Sequence, residues 1–373
     1  MPEFLQLMEN SGGFTPVGAA TDKAALTEAL RLIRNEHSLP RHRQQYLLHE
    51  AITTSDFPTL FGVLVQNDML AKYQAYLPDW RAYCSTGTLP NFNIHTRHKV
   101  YGNDTVLPVV EERAPYTSVP MGTGHYHAHL EKYGRVFDIS WESVINDSMG
   151  AFNDISERFS LAAQRTEAFN VTSLFAAAAG PNTGLFGAPI ADVDGQNVTN
   201  QGVLPLTIGN LQTTLTLMSQ QTDPNGLPIS IRGAHLVIPP DLEWTARAIL
   251  TSTSVQQAAS ATPVVTNNLL PQYGLQLHVN PFLRVVDVSG TSDTTWYVFA
   301  EPGIARCMEM DYLSGYETPQ IDMKSSDRVP VGGGGEVSPF SGDFATDNMY
   351  YRIRHVMGGW QLDPRYCYAQ VGP

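Results

Sequence analysis

The chain has 373 residues, a formal net charge of −13 and only 16% charged residues, where an ordinary soluble protein carries about 25%. That length gives two or three structural units with a sizeable core, and so little charge leaves a surface that partners are expected to cover. The acidic balance, with Lys and Arg scattered, excludes tight gripping of a phosphate backbone, which needs concentrated positive surface.

Cys84, Cys307 and Cys367 are far apart and form no Cys-x-x-Cys pair, so they read as buried free thiols and not as a disulfide framework or a zinc knuckle. The N-terminus has neither a basic n-region nor an apolar h-region, and no apolar run is long enough to span a membrane.

In chain order, residues 1 to about 20 are Gly- and Pro-punctuated. Helices are expected at about Asp22–Glu36, over RHRQQYLLHEAI, and over DFPTLFGVLVQNDMLAKYQAYLPDW. From about Leu89 to Asp138 the periodicity becomes two. Val106–Val119 and His125–Ile139, separated by PMGTG, predict a long β-hairpin poor in large apolar residues near its tip. Such a ribbon needs a surface to lie on.

Ser140–Ala179 is the longest proline-free stretch and reads as one long helix. Its apolar stripe is Trp141, Ile145, Met149, Phe152, Ile155, Phe159, Ala162, Ala163, Phe169 and Leu174, with Gln164 among the polar residues filling the rest, Ser140 as N-cap and Gly180-Pro181 as stop. Beyond it a mixed α/β unit is expected. It has helices at about Ile208–Gln220 and Asp241–Leu250, strands AHLVIPP, LQLHV, LRVVDV, TWYVFAE and RCMEMDYL, a loop to Asn268, and a turn at Asp223–Gly226. The last stretch reads as two strands joined at Gly358-Gly359.

His125, His127 and His129 lie at i, i+2, i+4 and could share one zinc or nickel ion on a strand face. No carboxylate motif accompanies them, so they read first as a solvated or subunit-contacting strand, with a metal-dependent enzyme as an alternative. Gly332–Gly335 lacks the Lys-Ser/Thr of a phosphate loop, and no catalytic signature occurs. No cofactor and no enzymatic activity are expected. Glu111, Glu112 and Arg113 on one ribbon arm, Lys132 and Arg135 on the other, and Arg352 and Arg354 near the C-terminus are candidate intersubunit contacts, weighed against ordinary surface charges of under about 1 kcal/mol each.

The order of arm, ribbon, long helix, α/β unit and closing strands resembles the major capsid protein of tailed bacteriophages. The residues TTSDFPTLFGVLVQNDMLAKY, YGRVFDISWESVINDSMGAFNDISERFSLAAQRTEAFN, AHLVIPPDLEWTARAIL and RIRHVMGGWQLDPRYCYAQVG are similar to segments of that family. The resemblance implies an α+β, HK97-type fold. Its parts would be an N-terminal arm (1–65), a P-domain entry (66–105), an extended E-loop hairpin (106–138), the spine helix and its join (139–204), an A-domain (205–345) and C-terminal strands returning to the P- and A-domains (346–373). It further implies self-assembly into pentamers and hexamers of an icosahedral shell around double-stranded DNA, built in the host cytoplasm and found in the virion. Portal, scaffolding and decoration proteins are the possible partners, and no membrane is involved. The motifs of Lys-Asn crosslinking are not matched, and a separate scaffold or none is expected. An encapsulin-like nanocompartment shell is the alternative use of the same fold.

Overall fold

The fold is given by a computed structural model. It describes residues 66–67, 69–75, 78–101, 106–107, 109–116, 118, 121–140, 149–257, 264–303, 305–328 and 342–373. The expected helices before residue 66, the helix start at 141–148 and the Gly332–Gly335 loop lie outside the described residues. The chain divides into two compact units: residues 1–71, 134–159 and 320–353 form one, and residues 72–133, 160–319 and 354–373 the other.

The main strands and helices are β1 (Ser85–Leu89), β2 (His95–Tyr101), β3 (Gly122–Ala128), β4 (Glu131–Ser140), α1 (Met149–Phe175), β5 (Gln201–Gly202), α2 (Ile208–Ser219), β6 (Gly233–Ile238), α3 (Glu243–Thr251), β7 (Gln276–Val279), β8 (Trp296–Ala300), β9 (Met308–Leu313), β10 (Gln320–Met323), β11 (Asn348–Gln361) and β12 (Cys367–Gln370). The first unit holds β10 and the start of β11. There the Gln66 side chain accepts from the Ile321 amide at 2.7 Å, and Phe137 meets Phe159 edge-on.

In the second unit, β9 pairs in parallel with β1 (Ser85↔Glu309 to Leu89↔Leu313) and antiparallel with the end of β11 (Met308↔Gln361 to Tyr312↔Met357). A second sheet runs in the order β7-β6-β8-β12-β5. Every residue of β8, WYVFA, is buried, as expected of a strand covered on both faces. Its side chains divide by parity. Tyr297 and Phe299 enter a core with Val171, Phe175, Met308, Met310 and Met357, whereas Trp296, Val298 and Ala300 enter another with Leu211, Leu215 and Met218 of α2. Thr207 caps α2, its side chain accepting from the Asn210 amide at 3.2 Å.

The long helix is continuous through Gly150 and through Asn170–Ser173. Ser140 is the last residue of β4, and the helix start that it is expected to cap lies outside the described residues. The C-terminal stop acts four residues early: Ala176–Ala177 pair with Gly180–Pro181, Gly180 takes φ +117, and Asn182 closes the helix end, its amide donating to Phe175 O at 3.0 Å and its side chain to Ser173 O at 2.9 Å. The expected stripe needs correction. Phe159 and Ala163 are buried, but Ala162 is exposed and Phe169 half-exposed, while Ser160, Gln164, Glu167 and Thr172 are buried. Gln164, Glu167 and Thr172 belong to the inner face because they have partners there, the Thr172 hydroxyl accepting from Asn280 at 2.8 Å. Tyr73 and His355 both bond the Glu167 carboxylate, and Gln164 donates to Tyr73 O at 3.2 Å.

Three more expectations fail for local reasons. LRVVDV makes a helical turn at Leu283–Val286, because the Asn280 side chain accepts from Phe282 N at 2.9 Å and turns the chain. The expected loop before Asn268 contains a hairpin, Ser254–Gln257 with Val264–Asn267. Gly358 and Gly359 join no two strands but lie inside the single strand β11. A Cβ on Gly358 would meet the carbonyl oxygen of His129, and one on Gly359 would touch Leu174 at 3.0 Å. Gly358→Ala is therefore expected to cost about 1 to 3 kcal/mol in chemical denaturation. Parent-like stability would show that the His129 backbone yields.

His235 and His278 add a pH dependence. His235 Nδ1 meets His278 Nε2 at 3.1 Å, and His235 Nε2 lies 3.3 Å from Glu301 Oε2. Burial holds both imidazoles below their ordinary pKa, with His235 adding to the effect at His278, and Glu301 and Asp79 opposing it at His235 and His278 respectively. Below the unfolded value of about 6.5 the unfolded chain takes up protons first, so stability present above that pH falls as the pH drops further. Denaturation at pH 8 and pH 5.5 should show this loss, and His278→Gln should reduce it. An unchanged pH slope in the variant would remove the pair as its source.

Candidate assembly surface and its anchor

The ribbon forms between strands other than the expected ones. β3 pairs with β2, from His95↔Ala128 to Tyr101↔Gly122, and not with Val106–Val119. None of the described residues between Tyr101 and Gly122 is in a strand. The ribbon is thus a paired stem, β2 with β3, carrying a connecting segment at its end.

The stem has two unlike faces, as period two dictates. On one, Arg97 and Lys99 point to buried carboxylates. Arg97 donates to both oxygens of Asp311, at 3.1 and 2.9 Å, and lies 3.3 Å from Glu309; the Trp360 indole also donates to Asp311, at 2.9 Å. Burial first, then Asp311, pushes the Glu309 carboxyl up, and Arg97 counteracts this. Lys99 Nζ donates to Asp192 at 2.6 Å and Asp363 at 2.5 Å, and lies 3.5 Å from Asp194. From the opposite strand the Tyr126 hydroxyl donates to Asp192 at 3.0 Å.

Arg365 closes this cluster. Its guanidinium reaches Asp192 at 2.6 Å, Asp194 at 2.9 Å and Asp363 at 3.4 Å, and its Nε donates to Thr222 O at 3.0 Å. Burial raises the Asp192 carboxyl, but the bonds from Lys99, the Val193 amide and Tyr126 outweigh this and hold it below its ordinary value. Burial opposes the charge on Lys99 and Arg365, and the carboxylates raise both pKa values despite it. Two cations among three aspartates, with the Tyr126 hydroxyl, pin the stem to the loop at 192–194 and to the C-terminal turn. Sequence reading missed this site. Its signals were basic residues at alternate positions (His95, Arg97, Lys99) and the short Asp-Val-Asp and Asp-Pro-Arg runs.

The other face is exposed. It carries His98, edge-to-face with its partner His125 at 4.8 Å, together with His127. His129 lies beyond the strand against Trp360. Among the described residues no three His, Cys, Asp or Glu side chains are grouped to hold a metal ion.

The anticipated contact residues lie on three separate elements. Glu111, Glu112 and Arg113 are exposed on the connecting segment, where the Ala114 amide donates to Glu111 O at 3.0 Å and Arg113 takes φ 69. Lys132 and Arg135 are exposed on β4. Arg352 pairs with Asp322 at 2.6 Å. Arg354 lies over the Tyr316 ring at 5.8 Å, while His355, on the opposite parity, is buried against Glu167.

The connecting segment is apolar where it is most exposed: Leu107 is 88%, Val109 97% and Tyr116 87% accessible, and Val106 and Met121 are exposed beside them. Exposed large apolar side chains close together in sequence are candidates for cover by another molecule.

The sequence matches the family model of the phage capsid protein over residues 127–370, more than half of the chain. The chain belongs to the phage capsid protein family. Among solved structures this capsid-family chain is similar to Gordonia phage Cozz (12% identity, 78% of this chain and 84% of that one, TM-score 0.45) and to the capsid of cyanophage P-SCSP1u (11%, 80% and 88%, TM-score 0.46). It is also similar to the holo-SrpI encapsulin complex from Synechococcus elongatus PCC 7942 (11%, 80% and 88%, TM-score 0.46). No curated protein matches the sequence. No helix among the described residues is long and apolar enough to cross a membrane.

Proposed function

We propose that this member of the phage capsid protein family is the major capsid protein of a tailed phage. It self-assembles, without catalysis, into the pentamers and hexamers of an icosahedral shell around double-stranded DNA. The observation that carries the reading is the apolar connecting segment, exposed in the single subunit and held out on a stem anchored by ion pairs. A neighbouring copy is its natural cover, since burying side chains such as Leu107 and Val109 contributes roughly 1.5 to 3 kcal/mol each. Glu111, Glu112, Arg113, Lys132 and Arg135 would then border that contact, with Arg352 and Arg354 nearer the C-terminus. The net charge of −13 suits a wall that must not hold the genome.

Expression of the chain, with and without the genes beside its own, followed by negative-stain microscopy should show closed shells containing nuclease-protected DNA when packaging proteins are supplied. Monomers under every condition would overturn the assignment. Shells that take up an enzyme and no DNA would favour the encapsulin-like alternative.

A further inference from the structure

The exposed face of the stem brings together two histidines from different strands. His98 of β2 and His125 of β3 stand directly opposite each other, three rungs below the end of the stem at Tyr101↔Gly122. Both are exposed, and their ring centres are 4.8 Å apart with the ring planes at 86°. The other histidines nearby are placed differently. His95 has its Nε2 2.9 Å from the Asn91 side chain, His127 stands opposite Thr96, and His129 lies against Trp360. The ladder beneath the pair is held in place, since Lys99 and Tyr126, adjacent in sequence but on the other face, both reach Asp192.

We propose that His98 and His125 form a two-ligand site for a divalent ion of the zinc, nickel or copper class, which clips β2 to β3 near the end of the stem. Imidazole nitrogen suits these ions. With a metal–nitrogen bond of about 2.0 to 2.1 Å, and a ring nitrogen about 1.1 Å from its ring centre, two imidazoles on one ion have centres roughly 4.5 to 5 Å apart for ligand angles from square to tetrahedral. The observed 4.8 Å falls in that range. Each ring centre lies close to the axis of the bond from Cβ, so turning the ring about that bond, a broad torsion in histidine, re-aims its nitrogens with little movement of the centre. Exposure leaves room for the turn. Water fills the remaining positions, because no third His, Cys, Asp or Glu is grouped with the pair among the described residues. A ladder already fixed from its other face leaves little backbone to order on binding, and once one imidazole holds the ion the second acts at high effective concentration. The ion then resists fraying of the stem toward its connecting segment. The site lies within one subunit and does not depend on the capsid reading.

The test uses the full-length subunit in solution and needs no shell, so its failure leaves the capsid reading standing. Zinc chloride alone is titrated calorimetrically into the parent, His98→Gln, His125→Gln and His127→Gln, with sedimentation recording the association state and thermal denaturation without metal checking the fold of each. The parent should bind one zinc equivalent more tightly than either His98→Gln or His125→Gln does, by about tenfold or more, since each change removes one of two coupled ligands. His127→Gln should bind as the parent. Copper(II) should bind more tightly than zinc and lose affinity in the same two variants, and its electron paramagnetic resonance should lose one coupled nitrogen in either. If one of the two variants does not fold, the other decides, because each alone breaks the pair. Equal zinc affinity in the parent, His98→Gln and His125→Gln would overturn the proposal. So would a loss confined to one of the two, an equal loss in His127→Gln, or zinc binding that occurs only as subunits associate, which would place the ion between copies.

Discussion

Replacing residues 102–121 by Asn-Gly should give a subunit that folds like the parent and forms no closed shells. The stem ends at the pair Tyr101↔Gly122, and Asn-Gly is the two-residue turn whose twist suits an antiparallel hairpin. Gly122 must remain, because a Cβ there would enter the Tyr101 ring. The anchoring bonds of Arg97, Lys99 and Tyr126 lie within the retained stem, and none of the described residues removed belongs to the buried core. Chemical denaturation should therefore find stability within about 1 kcal/mol of the parent, as for changes outside the core. Microscopy and sedimentation should find subunits or small oligomers, because the side chains that a neighbour would cover are gone. The choice of boundary matters. Deleting Pro115 to Lys132 would remove β3 with buried Ala128 and Leu130 and would confound loss of assembly with loss of fold. Parent-like shells from the Asn-Gly variant would place the self-association surface elsewhere.

Periodicity revealed the elements whose burial is simple. The proline-free amphipathic run gave the long helix, short apolar runs gave β6, β7, β8 and β9, and Asp223-Pro-Asn-Gly226 gave a turn in which the Asp223 carboxylate accepts from the Asn225 and Leu227 amides at 2.9 and 2.7 Å. What stayed hidden depends on partners distant in sequence. Gln164 reads as a polar residue off the apolar stripe until the Tyr73 carbonyl is beside it. Val106–Val119 alternates well enough for a strand, but β3 takes β2 as its partner, where Arg97 and Lys99 supply binding that composition does not record. Gly358-Gly359 looks like a turn because glycine marks both turns and places where another backbone comes close, and only the His129 carbonyl distinguishes the two here. The ribbon is expected to be poor in large apolar residues near its tip, whereas its connecting segment exposes Leu107, Val109 and Tyr116, and neither that exposure nor the anchor was legible.

Arg365→Met should be the most damaging single change in the anchor, costing about 3 to 5 kcal/mol, the usual range when one partner of a buried ion pair is removed. Among the described residues, Asp192, Asp194 and Asp363 would be left with Lys99 as their only cation. Lys99 bonds two of them but stands 3.5 Å from Asp194. Lys99→Met should cost less, because Arg365 still reaches all three carboxylates and because Lys99, with its side chain about a fifth exposed, is less completely desolvated. The pH dependence separates this account from a mere packing defect. In the parent the Asp192 carboxyl is held below its ordinary value, so its contribution is present above the unfolded value of about 4 and is lost as the pH falls through the folded one. Arg365→Met leaves three buried carboxylates around Lys99, closest to Asp192 and Asp363 and 3.5 Å from Asp194, and protons taken up in acid neutralise the excess negative charge. Mild acid should then recover part of the lost stability, measured as the gap between variant and parent at pH 7 and near pH 5. Adding Asp194→Asn to Arg365→Met removes one stranded charge and should recover part of the loss at pH 7. If both single variants lose equally and the gap does not narrow in acid, the cluster is held by packing and hydrogen-bond geometry, and charge balance does not set the strength of the anchor.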